Sequence, residues 1–76
     1  MKKRSLLIMG HATSISLEDE FWQTLKEIAD KNSSSVQQVI ESIDLTRTGN
    51  LSSAVRIYIL NYLKDELQKH KEQKDT

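Results

Sequence analysis

The residues of this chain with chemistry to offer are two histidines, a run of three serines and a basic N-terminal triplet, and their spacing suits binding better than bond-making. His11 and His70 stand near opposite ends of the 76 residues and there is no cysteine, so thiol nucleophiles, iron–sulfur clusters and thiolate zinc sites are excluded. Among the serines, only those near His11 have a base at hand. His11 and Ser14 fall on opposite faces of a regular strand, so they form no proton relay. No glycine-rich phosphate loop and no metal-ligand spacing is present in the sequence. No enzymatic activity, cofactor or small-molecule substrate is therefore expected. Lys2, Lys3 and Arg4 offer a local cationic cluster, which in most chains is a solvated terminus. Arg56 is placed to pair with Asp44 or Glu41 between helices, a structural ion pair.

The balance of charge is neutral, with 11 basic and 11 acidic residues, so the overall field draws the chain neither to nucleic acid nor to an anionic membrane. The distribution is uneven: Lys2 to Arg4, then 13 residues without formal charge, then Glu18, Asp19 and Glu20. A basic start followed by Leu6 to Met9 resembles a signal peptide, but the apolar run stops at Gly10, short of the roughly 7 to 15 residues that an export signal needs. Nothing approaches the ~18 apolar residues of a membrane-spanning helix. A cytoplasmic protein is the expectation, and the lack of cysteine fits a reducing compartment. A chain this short buries only about 60% of its unfolded surface and is marginal alone. Without disulfides or a metal site, association with a second copy is the natural supplement.

Proline is absent, and the two glycines, Gly10 and Gly49, mark changes in the hydrophobic pattern. After Gly10 the residues alternate, with Thr13, Ile15 and Leu17 on one face and Ala12, Ser14 and Ser16 on the other, which predicts a half-buried strand. Gly10 and His11 either turn Ser5 to Met9 back as a second strand or only kink a longer arm. A first helix is predicted near Glu18, capped by Ser16 with Asp19 three residues on, and its apolar stripe is Leu17, Phe21, Trp22, Leu25, Ile28 and Ala29. Ser34 and Ser35 each precede a glutamine by three, giving two capping-box registers for a second helix with the stripe Val36, Val39, Ile40 and Ile43, ending about Thr46. Gly49 is expected to close it in the left-handed conformation, with Asn50 or Ser52 capping a third helix. That third helix is apolar around too much of its circumference to be buried on one side only, which implies contact with its own subunit and with a partner. Residues 68–76 carry no apolar side chain and are expected to be a disordered tail beyond a domain at 1–67.

A strand without a companion of its own length cannot stand alone in water, and pairing it with the same strand of a second copy about a two-fold axis gives an isologous dimer. Four stretches stand out together: Gly10-His11-Ala12-Thr13-Ser14-Ile15-Ser16-Leu17-Glu18, Phe21-Trp22, Ile43-Asp44 with Arg47, and Asn50-Leu51-Ser52-Ser53-Ala54-Val55-Arg56. On these residues the sequence resembles a bacterial ribbon-helix-helix family, similar to the Arc and MetJ repressors. The resemblance spans roughly residues 4 to 64.

The resemblance implies a mostly α fold in which an N-terminal β-strand pairs across a homodimer, with an added C-terminal third helix. It implies a transcriptional regulator that inserts the two-stranded ribbon into the major groove of double-stranded DNA. Ala12, Ser14 and Ser16 would then face the bases. Short serine hydroxyls discriminate among base edges less than a bidentate Arg or Gln does. Lys2, Lys3 and Arg4 would grip phosphates, adding affinity that falls with salt. Ser33, Ser34 and Ser35, at the start of the second helix, would clamp a further phosphate. The competing expectation is a protein-interaction or oligomerisation module, with the apolar third helix docking a partner or building a tetramer and DNA binding weak or lost.

Overall fold

In the computed structural model the described residues are 1–47 and 49–74, with side chains described up to Lys69. The order is β1 (Lys2–Ile8), β2 (His11–Leu17), α1 (Asp19–Lys31), α2 (Val36–Thr46) and α3 (Leu51–Lys74). The hairpin alternative is the one realised: β1 and β2 pair antiparallel, with Ile8 opposite His11 and Lys2 opposite Leu17. The turn residues are Met9 and Gly10, one position earlier than expected, at φ 52° and 84°. Positive φ at both central residues defines the two-residue turn whose twist matches a hairpin. Gly10 adopts it freely, whereas Met9 does so against its Cβ.

Cross-strand partners share a face. One face of the hairpin carries Leu6, Ile8, Thr13, Ile15 and Leu17, of which Ile8, Ile15 and Leu17 are buried. They meet Trp22, Leu25, Ile28 and Ala29 of α1, Val39, Ile40 and Ile43 of α2, and Leu51, Val55 and Ile59 of α3 in one core. The alternation read from Thr13, Ile15 and Leu17 and the stripes of the first two helices are thus the core faces. In α3 the buried residues recur every four positions, one stripe of a helix 24 residues long. Its remaining apolar residues stay uncovered in the single chain: Ile57 is 58% exposed, Leu60 51%, Leu63 48% and Leu67 69%.

The caps depart from expectation at Ser16 and at Gly49, and of the two capping-box registers for α2 one is realised. Ser16 does not cap α1; Glu18 holds the N-cap position without a capping bond from its side chain, and Ser16 is drawn instead to α3. Ser35, not Ser34, caps α2 in a complete capping box, its hydroxyl accepting from Gln38 N–H while Gln38 Oε1 accepts from Ser35 N–H. Gly49 is not left-handed; Ser33 is, at φ 52°, where the chain turns from α1 to α2. Asn50 caps α3, its Oδ1 accepting from Ser53 N–H at 3.2 Å. Removing the Ser35 hydroxyl in Ser35→Ala leaves one cap donor unpaired, and a loss of about 1 kcal/mol in chemical denaturation is expected. The polar segment from Gln68 continues α3 as helix to Lys74, and Asp75 and Thr76 lie outside the described residues.

Candidate nucleic-acid interface

The hairpin face turned away from the core carries Lys3, Ser5 and Leu7 from β1 opposite Ser16, Ser14 and Ala12 from β2. All are exposed except Ser16, which is half-buried. The structure therefore brings Ala12, Ser14, Ser16 and Lys3 onto one surface. It adds Ser5 and Leu7, which sequence reading missed because the pairing of β1 was undecided. Lys2 and Arg4, one residue to either side of Lys3, point to the opposite face. There the Arg4 guanidinium lies over the Trp22 ring, 4.8 Å from its centroid, and Trp22 Nε1–H donates to the Lys2 carbonyl at 3.0 Å. The basic triplet is thus split: Lys3 sits on the ribbon surface, Lys2 and Arg4 on its flank.

The start of α2 is fixed beside the other end of β1. Gln37 Nε2–H donates to the Leu7 carbonyl at 3.0 Å, joining the first turn of the helix to the strand. Ser35 is exposed and Ser34 half-buried in front of that turn, with Ser33 in the preceding bend. The Ser35 hydroxyl is used by its own helix. The unpaired N–H groups near this end belong to the helix's opening residues, where an anion gains from both donors and dipole. Gln37 was visible only as a polar helix residue; its tie to Leu7 required the hairpin to be known.

The free edge of β2 is partly occupied. In a two-residue hairpin the pair next to the turn is hydrogen-bonded, so Ala12, Ser14 and Ser16 direct their backbone groups away from β1. At Ser16 those groups are taken by α3: its N–H donates to Ser52 Oγ at 3.2 Å and its carbonyl accepts from Arg56 Nη2 at 3.1 Å. Arg56 also pairs with Glu18 at 3.0 Å, not with Asp44 or Glu41. Asp44 instead holds Arg47, which reaches on to the Gly49 carbonyl.

The Glu18 carboxyl is held below its ordinary value, first by its backbone hydrogen bond and then by the Arg56 guanidinium, with desolvation opposing both. A carboxylate whose value is lowered on folding contributes stability above its unfolded value and loses it as pH falls through the folded one. The window therefore opens near the ordinary 4.5 and extends below it. In urea titrations the difference between the native chain and Glu18→Gln should be present at pH 6 and shrink steadily below about pH 4.5.

Among the described residues no group of three potential metal ligands converges, and no helix is long and apolar enough to cross a membrane. Two similarities to known proteins bear on this arrangement. The model of the ribbon-helix-helix domain family covers residues 1–63. An uncharacterized protein from Bordetella pertussis Tohama I has a solved structure that superposes with a TM-score of 0.76 at 32% identity over 90% of this chain. That alignment spans 59% of the Bordetella chain. No curated protein matches the sequence. With a hairpin ribbon followed by helices, and the family model running from the first residue into α3, the chain belongs to the ribbon-helix-helix domain family.

Proposed function

We propose that the protein is a homodimeric, DNA-binding transcriptional regulator of the cytoplasm that presents its ribbon to the major groove of double-stranded DNA. The observation that carries this reading is the solvated ribbon face, Lys3, Ser5, Leu7, Ala12, Ser14 and Ser16, set beside the N-terminus of α2. A strand surface of small hydroxyl and apolar groups fits a groove about 12 Å wide. Ser14 and Ser16 offer hydroxyls to base edges, and Ala12 with Leu7 offers apolar contact to a thymine methyl. Lys2, Lys3 and Arg4, with Ser33, Ser34 and Ser35 at the start of α2, supply the phosphate contacts that fix position without specifying sequence.

The second copy is called for by the edge of β2. Because α3 takes the outward groups of Ser16, Ala12 and Ser14 are the residues left to pair. An antiparallel pairing about a two-fold axis at Thr13 sets Ala12 of one copy against Ser14 of the other and satisfies all four groups. A second reading, an interaction module, is favoured by one observation: the uncovered stripe Ile57, Leu60, Leu63 and Leu67 on α3.

Solution mass followed by titration with mixed-sequence duplex at two salt concentrations separates the two readings. The proposal expects a dimer whose DNA affinity falls steeply with salt. A dimer with no affinity at low salt removes DNA binding and leaves the interaction module, and a monomer removes the architecture.

A further inference from the structure

Between β1, α1 and the start of α2 lies a groove of about 420 Å³ lined by Lys2, Arg4, Asp19, Trp22, Lys26 and Val36, among others. Three cations and one acid converge on it, and among the described residues none of the three cations forms an ion pair. In a chain with no net charge this is a local positive site, and its concavity concentrates the field. The site is also held in shape. Trp22 is buried, its indole N–H is bonded to the Lys2 carbonyl, and Arg4 is stacked on its ring. A stacked guanidinium keeps its in-plane N–H groups free for an oxyanion.

We infer that this side groove seats a backbone phosphate of the bound duplex, with Lys26 of α1 and Arg4 as its principal contacts. The inference rests on the DNA-binding proposal and extends it to a helix that sequence reading assigned wholly to packing. The geometry follows from dimensions. Strands lie about 4.8 Å apart, so in a β1-β2-β2-β1 sheet the outer strands stand roughly 14 Å apart. A groove about 12 Å wide admits the central pair and leaves each β1 at a phosphate ridge. The flank of β1, where Lys2, Arg4 and Lys26 gather, is the surface that this ridge runs along. Lys26 is exposed on α1, so its substitution tests the charge without disturbing the core.

The test is the salt dependence of duplex binding for the native protein, Lys26→Gln, Arg4→Gln and, as a control outside the groove, Lys64→Gln on α3. One cation removed per chain removes two contacts per dimer, lowering the slope of log affinity against log salt by about 2. The fall in affinity between roughly 50 and 200 mM salt then becomes about tenfold smaller, with the control unchanged. Native protein that binds DNA while Lys26→Gln and Arg4→Gln keep its slope overturns the side groove and leaves the ribbon proposal standing. Native protein that does not bind DNA overturns both. Because Arg4→Gln also loses the stacking on Trp22, Lys26→Gln decides the matter if Arg4→Gln proves poorly folded.

Discussion

Replacing Ser14 by proline should convert the dimer to monomer and abolish DNA binding while each chain keeps its hairpin and helices. The backbone groups of Ser14 point away from β1, so the proline ring costs no hydrogen bond within the hairpin. At the edge facing the second copy it removes a donor and places ring atoms where the other strand must approach. Ser16 cannot take over, because its N–H and carbonyl are held by Ser52 and Arg56. Sedimentation equilibrium should show the monomer, and far-ultraviolet circular dichroism should show the helices retained. Loss of both paired edge and DNA contact together is expected, since each half-ribbon alone presents too little surface to the groove. A Ser14→Pro protein that remained dimeric would move the interface elsewhere, with the α3 stripe first in line.

The second large effect is expected in the core. Leu25 is fully buried at the centre of the α1 stripe, in the cluster that includes Ile15, Leu17, Ile40, Val55 and Ile59. Leu25→Ala removes apolar volume where hairpin and all three helices meet, and such truncations cost roughly 2 to 5 kcal/mol. In a domain of this size a loss of about 1 kcal/mol moves the melting midpoint by roughly 4 to 8 °C, so a fall of at least about 8 °C is expected. The comparison requires equal protein concentrations, because dimerisation adds to apparent stability. Thermal melts of the two proteins side by side provide the check.

Much of this was legible from periodicity. The strand face Thr13, Ile15 and Leu17 and the stripes of α1 and α2 follow from spacings of two and of three to four residues, whereas the run of α3 through the polar residues after Leu67 does not. What escaped were features set by tertiary contact. The turn was hidden because Met9 stands where asparagine or aspartate ordinarily announces a two-residue hairpin. Ser16 has the spacing of a cap, yet the packing of α3 against β2 gave its backbone to Ser52 and Arg56, and the cap position passed to Glu18. The partner of Arg56 could not be read either: Glu18 is 38 residues away, and only the docking of α3 brings it within reach. Gly49 offered left-handed freedom that its own backbone does not use.

The candidate site was half visible for the same reason. Ala12, Ser14 and Ser16 follow from strand alternation alone. The contribution of β1 to the same surface needs the register that sets Lys3 against Ser16 and Ser5 against Ser14. The division of Lys2, Lys3 and Arg4 between two faces is then a consequence of alternation once the strand is known to begin at Lys2. Lys26 carried no signal of its own, being one charged residue on the polar side of an amphipathic helix. Its place beside Lys2 and Arg4 depends on how α1 packs under the hairpin.

The most direct test of the ribbon as the DNA-reading surface is amide chemical-shift mapping of the isotopically labelled protein as duplex DNA is added at low salt. The proposal predicts that the largest shifts fall on Lys3, Ser5, Ala12, Ser14 and Ser16 and on the opening turn of α2, with Ile57, Leu60 and Leu67 unmoved. Shifts concentrated on the α3 stripe, or no shifts at low salt, would contradict it.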